Sequence, residues 1–137
     1  MAYFNKIGLL YLNDDQSKFL VCEKDNFTSD FIMPGGQVDD GENNEECLVR
    51  EIKEELDVDM DKTSLIFIKE YVDVAAGDPT KDVSIKLYEG KIIGEPKPSA
   101  EIIKFHWVGK DDLFHPRLSP IVKNRILPDL IAKKILK

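Results

Sequence analysis

A chain of 137 residues fits one domain and can bury a core without disulfides or metals. Its 42% hydrophobic and 33% charged residues place it among folded soluble proteins, because disorder needs fewer apolar residues and longer polar tracts. A net charge of −7 argues against binding a nucleic-acid backbone, so an anionic ligand would need a positive group or ion between it and the protein. Cys22 and Cys47 have no CxxC spacing, which suits a reducing compartment. The apolar run Ile7–Leu12 is too short to span a bilayer and "MAYFNK" lacks a signal-peptide core. The expectation is a cytoplasmic protein with no membrane or nucleic-acid partner, monomeric or homodimeric.

The stretch from Tyr3 to Asp25 reads as two apolar strands joined at "NDDQS", a hairpin. After a polar link, "FIMPGG" is a short apolar segment that Pro34, Gly35 and Gly36 stop from continuing as helix or central strand. From Asn43 to Leu56 there is neither Pro nor Gly, and Leu48, Ile52 and Leu56 recur at helical spacing beside Val49, which predicts an amphipathic helix. "TSLIFIKEYVDVA" and "DVSIKLYEGKII" are β-branched and aromatic, and "AGDPTK" between them is a turn. A breaker cluster, "GEPKPSAE", precedes one more strand, "IIKFHWV". A second helix begins after Ser119, which can cap it, with Pro120 in its first turn; Pro128 should kink it or start a new turn. Strands then helix, twice over, give an α/β (α+β) domain with a mixed sheet.

The helix carries the chemistry. With Glu51 at zero and about 100° per residue, Glu55 falls at about 40° and Glu54 at about −60°. These carboxylates share one face and border the apolar stripe, where mutual repulsion costs more than in water. A cation would relieve it, and converging oxygen donors suit a hard divalent ion. A solvated acidic helix face would show the same three residues, so the flanking pattern must decide. "GQVDDGEN" has the glycine skeleton of a phosphate loop, but Glu42 and Asn43 stand where Lys and Ser/Thr are needed. An EF-hand register would put Gly36, Val38 and Cys47 at ligand positions, which excludes it.

The remaining pattern is Gly36, five residues, Glu42, seven residues, Arg50-Glu51-Ile52, one residue, Glu54-Glu55, one residue, Asp57-Val58. It resembles the Nudix box, G-x5-E-x7-R-E-U-x-E-E-x-G-U, at every fixed position except the last Gly, here Asp57. Asp tolerates the left-handed conformation that a glycine takes at a helix end, so the departure concerns helix termination and leaves the chemistry intact. The "MPGG" segment, the order of strands and the late "FHWV" strand look like the family over most of the chain. The resemblance implies a single Nudix domain over 1–137, with its box at 36–58, folded as an α/β/α sandwich around a central mixed sheet.

It further implies that Glu51, Glu54 and Glu55 bind Mg²⁺ or Mn²⁺, with the Gly35 carbonyl as a further ligand. Glu42 and Arg50 would pair and support the site, and Glu101 resembles a position that supplies a ligand or base in some members. His106 and Trp107 lie on a strand where one must face the core, His115 belongs to a loop, and Phe31 is either a base-stacking or a core residue. The implied activity is metal-dependent hydrolysis of a small nucleotide in which a nucleoside diphosphate is linked to another group. A (deoxy)nucleoside triphosphate, released as monophosphate and pyrophosphate, is the first expectation. ADP-ribose or a nucleotide sugar is the alternative, although the proline of the ADP-ribose branch is missing near Asp73 and Val74, and no coenzyme A or NADH signature is present. A catalytically silent nucleotide sensor is the third reading.

Overall fold

The computed structural model describes residues 2–24 and 30–137, so most of the polar link after Lys24 lies outside the described residues. The strands are β1 (Phe4–Leu10), β2 (Lys18–Lys24), β3 (Gly35–Gln37), β4 (Asp59–Ala75), β5 (Asp78–Ile93) and β6 (Ile102–Gly109). Helix α1 spans Asn44–Leu56, and α2 (Leu127–Ala132) follows a π-helical turn at Val122–Ile126. One mixed sheet runs in the order β3-β1-β5-β4, with β1 parallel to β5, while β2 and β6 form a separate antiparallel pair.

Strand alternation divides the core between two helical layers. Leu9, Leu20 and Cys22 turn to Leu48, Ile52 and Leu56 of α1, whereas their neighbours Leu10, Phe19 and Val21 turn to Val122, Ile126 and Leu130. Each fully buried aliphatic side chain contributes roughly 1.5–3 kcal/mol, so the two faces lock the strands between the helices. The result is the expected α/β/α sandwich around a mixed sheet.

Three expectations change. Strands β1 and β2 exist but belong to different sheets: the segments after β1 and at the start of β2 meet at the Leu12–Phe19 bridge, flanked by the Leu20 N–H to Tyr11 carbonyl and Asn13 N–H to Lys18 carbonyl bonds. A strand has two edges, and β1 has given both, one to β3 and one to β5. The turn after β4 is shorter than "AGDPTK", because Ala75 already pairs with Asp78 and only Ala76 and Gly77 connect them. Gly77 supplies the positive φ of 77° this connection needs, and Pro79 is tolerated beside an irregularity in the ladder. Ser119 stands where a cap is expected, yet its buried hydroxyl has no hydrogen-bond partner among the described residues.

The second helix is interrupted as Pro128 requires. Proline lacks an N–H and crowds the carbonyl four residues back, and here the wide turn at Val122–Ile126 precedes it so that Pro128 falls in the first turn of α2. No helix among the described residues is long and apolar enough to cross a membrane.

Candidate active site

Helix α1 is anchored at both ends. Asn43 accepts from the Glu46 N–H at 2.8 Å while the Glu46 carboxylate accepts from the Asn43 N–H at 3.0 Å, a reciprocal cap that fixes the loop-to-helix junction. At the other end Asp57 is left-handed, with φ 55° and ψ 41°, and donates its N–H to the Lys53 carbonyl. The Leu56 and Glu55 carbonyls accept from Lys97 N–H at 2.8 Å and Ser99 N–H at 3.0 Å. These bonds satisfy groups a helix end leaves open, and they hold the "GEPKPSAE" segment, with Glu101 after it, against the acidic helix.

The exposed side of the site is organised by Arg50. Its guanidinium bonds Glu42 at 2.7 and 2.9 Å, Glu51 at 2.9 Å, the Gln37 carbonyl at 3.0 Å and, more weakly, Glu54 at 3.5 Å, with Asp39 at 3.4 Å. The Arg50 hydrogen bond holds the Glu42 carboxyl down at about 2, and Glu42 in turn raises the guanidinium pKa well above its ordinary value. Gly36 is required beside this cluster, since a Cβ there would lie 2.4 Å from the Glu51 carboxylate.

The buried side is different. The side chains of Glu51, Glu54 and Glu55 are 15%, 53% and 2% exposed, so the carboxylates descend from surface to interior. Glu55 accepts from the Gly35 N–H at 2.8 Å and lies 3.6 Å from the Lys24 ammonium, which also reaches Glu101 at 3.4 Å. Burial nevertheless pushes the Glu55 carboxyl up to about 7, against the pull of Lys24 and the Gly35 N–H. Burial raises Glu51 as well, and Glu101 is lowered, first by a backbone hydrogen bond and then by Lys24. Gly35 adopts φ 138°, and a Cβ on it would fall 2.0 Å from the Ile7 carbonyl oxygen, so only glycine brings this N–H to Glu55.

Lys24 also lines a cavity of about 280 Å³ whose walls include Phe4, Met33, Val83, Ile85 and Ile121, with Lys6, Gln37 and Ser119 as polar members. The acidic helix and an apolar recess are therefore joined through one lysine. Lys6 and Lys24 were not singled out by the sequence pattern, although alternation along β1 puts Lys6 in the row of Phe4 and Leu10, where a charge is out of place.

The structure thus brings Glu42, Arg50, Glu51 and Glu54 into one cluster, and Gly35, Glu55 and Glu101 into another centred on Lys24. Phe31 is a core residue, stacked on His106 at 3.8 Å and tilted toward His115 at 5.2 Å. His106 bonds Glu23 at 3.0 Å, Trp107 is largely exposed, and none of these aromatic residues lines the cavity. Neither thiol is a nucleophile at neutral pH, since burial pushes Cys47 to about 11 and Cys22 higher still.

As they stand, no three His, Cys, Asp or Glu side chains among the described residues close around a common point. Arg50 and Lys24 occupy the space between the carboxylates and supply their present counter-charge. The donor set still fits a hard divalent ion: it is all oxygen, and its most buried member is an acid whose ionised form lacks sufficient compensation.

The site is a glycine loop packed on an acidic helix, on a mixed sheet between helical layers, and the family match makes the chain a hydrolase acting on phosphoric anhydride bonds. Residues 3–130 match the NUDIX domain, and the chain belongs to this family, whose members use small nucleotide substrates and generally divalent metal ions. The fold is similar to that of a MutT protein from Methanosarcina mazei Go1 (TM-score 0.74, 20% identity, covering 97% of this chain and 96% of that one). It also resembles a MutT NUDIX hydrolase from Burkholderia pseudomallei (0.72, 20%, 98% of both chains). A third likeness is to a C. elegans Ap4A hydrolase (0.65, 20%, 96% and 94%).

Proposed function

We propose that this chain is a divalent-metal-dependent pyrophosphohydrolase of nucleoside or deoxynucleoside triphosphates, releasing the monophosphate and pyrophosphate. The observation that carries this reading is the junction at Lys24, where the carboxylate cluster meets a cavity of about 280 Å³, suited to a single organic group. The likenesses to MutT proteins and to an Ap4A hydrolase are consistent with nucleotide chemistry.

Glu51, Glu54 and Glu55, with the Gly35 carbonyl, would hold Mg²⁺ or Mn²⁺. When bound, such an ion neutralises phosphate charge and lowers the pKa of a coordinated water. The chain's own residues supply the rest. Arg50 and Glu42 keep the loop against the helix, so that the carboxylates stay in register with Gly35. Lys24 and Lys6 attract the phosphate chain into an otherwise acidic protein. A carboxylate of the set, with Glu101 beside it, takes the proton of the attacking water. The water oxygen adds to phosphorus, the anhydride bond between the α and β phosphorus atoms breaks, and pyrophosphate leaves.

The test is a substrate panel with Mg²⁺: nucleoside and deoxynucleoside triphosphates, ADP-ribose, a nucleotide sugar and a diadenosine polyphosphate, with products separated by chromatography. The expected result is the highest kcat/KM on a triphosphate and loss of turnover in excess EDTA. Highest kcat/KM on ADP-ribose or a nucleotide sugar overturns the substrate. Saturable nucleotide binding without cleavage makes the chain a sensor, and full activity in EDTA removes the metal.

A further inference from the structure

Lys6 is the anomaly of the site. The chain carries a net charge of −7, and the cations beside α1 are engaged: Arg50 by Glu42 and Glu51, Lys24 by Glu55 and Glu101. The Lys6 ammonium, half-buried, makes no ion pair or hydrogen bond among the described residues, and its nearest ring contact is Phe4 at 5.9 Å. A lysine usually carries its charge to water along an apolar stem. This one is retained in the interior side of β1, paired in register with Ile85 of β5, while Phe4 is paired with Val83.

We propose that Lys6 binds the phosphate that directly bears the substrate's organic group. The inference rests on the function proposed above and deepens it by assigning an order of contacts along the ligand. Lys6 and Lys24 line the same cavity, but among the described residues only Lys24 contacts carboxylates. A ligand with its organic group between Phe4, Val83 and Ile121 meets Lys6 first, and its further phosphates continue toward Lys24 and the acidic helix. Ser119 lines the same cavity with a buried hydroxyl that has no partner among the described residues, which favours an organic group with a polar edge over a hydrocarbon. Lys6 also feels both signs of charge: burial and Lys24 lower its pKa, and Glu55, Glu51 and Glu101 raise it without pairing. With no partner for its ammonium among the described residues, a phosphate oxygen supplies the missing charge-assisted bond.

The experiment compares the wild-type chain with Lys6→Met, which keeps the stem, and Lys6→Arg, which keeps the charge. Calorimetry with Mg²⁺ measures binding of deoxynucleoside monophosphates, which carry only the proximal phosphate, and of inorganic pyrophosphate, which lacks the organic group. Lys6→Met should weaken monophosphate binding by about tenfold or more and leave pyrophosphate within about twofold, since a lost charge-assisted bond is worth at least one decade. KM for the triphosphate should rise by a similar factor with kcat little changed, Lys6→Arg should recover most of the affinity, and the melting temperature of Lys6→Met without ligand should hold or rise. Unchanged monophosphate affinity overturns the proposal, as does an equal loss for pyrophosphate, which would put Lys6 at the leaving group. Wild-type turnover with Lys6→Met unaffected strikes Lys6 alone, whereas a wild-type chain that cleaves no nucleotide strikes the proposed function and takes the inference with it.

Discussion

Glu42 and Glu55 are the same residue type in the two neighbouring clusters of one acidic site, and they have been pushed in opposite directions. Glu42 sits in the loop before α1 with two bonds from Arg50 and one from the Asp39 N–H, and its carboxyl is held down at about 2. Glu55 sits in the last turn with one N–H and one lysine at 3.6 Å, and burial raises it to about 7. Glu42 is saturated with partners, so its charge is spent on architecture. The buried half is under-compensated, and that is where a metal ion and an anionic substrate have something to gain.

The largest effect should come from breaking the buried half. Glu55→Gln keeps an acceptor for the Gly35 N–H but removes the charge, so kcat should fall by roughly two orders of magnitude or more. Stability without metal should hold or rise at pH 8, because an ionised buried carboxylate has been removed. Retained activity with a large drop in melting temperature would instead identify Glu55 as structural.

Breaking the exposed half should cost less in chemistry and act indirectly. Arg50→Ala strands Glu42, Glu51 and Glu54 beside one another and releases the Gln37 carbonyl. An activity loss of about tenfold or more is expected, with poorer stability and a raised metal requirement, measured as the Mg²⁺ concentration at half-maximal rate. If Arg50→Lys restored everything, the bidentate geometry assigned to Arg50 would be wrong, because an ammonium cannot reproduce the planar fork.

The two halves should also part company in a pH titration of stability. A raised folded pKa means the native state holds the proton that the unfolded state releases. The stabilisation linked to Glu55 is thus complete below its ordinary value of 4.5, declines as pH rises and is gone above about 7. Glu42 has the opposite sign: its contribution is present above 4.5 and is lost as pH falls through about 2. Lys24, Glu51 and Glu101 face Glu55 and modulate the first of these transitions. Glu55→Gln should remove the decline between about 4.5 and 7 from the metal-free melting curve and leave the acid limb alone; an unaltered profile would mean Glu55 ionises normally.

Much of this site was legible in the sequence because the relevant residues follow one another along a helix and its preceding loop, where periodicity converts spacing into geometry. The strands were legible by alternation, but their pairing was not. Nothing local in "NDDQS" says that β1 will give both its edges to β3 and β5. The counter-charges were missed for a related reason. Lys24 reaches Glu55 across the fold, and lysines on strands carry no motif, so the repulsion within the helix pointed to a metal before the protein's own cations could be counted. Lys6 left one trace, a charge in an inward-facing row with Phe4 and Leu10. Ser119 shows the reverse: a residue with ideal capping chemistry whose hydroxyl the fold leaves beside a cavity instead.

The smallest effect is expected where neither half is touched. Asp57 ends α1 in the left-handed region, and its exposed carboxylate has only a long approach of 3.9 Å to Lys53. Asp57→Gly would relieve the cost of that conformation in the folded chain, but it would also give the unfolded chain more freedom to lose. These changes oppose one another, so stability should shift by at most about 1 kcal/mol, read as the denaturation midpoint. Activity should not change, because the Lys97 and Ser99 bonds to the Leu56 and Glu55 carbonyls hold the helix end and do not involve the Asp57 side chain. A hundredfold loss of kcat would show that Asp57 takes part in the site, and would extend the under-compensated half beyond Glu55 to the end of the helix.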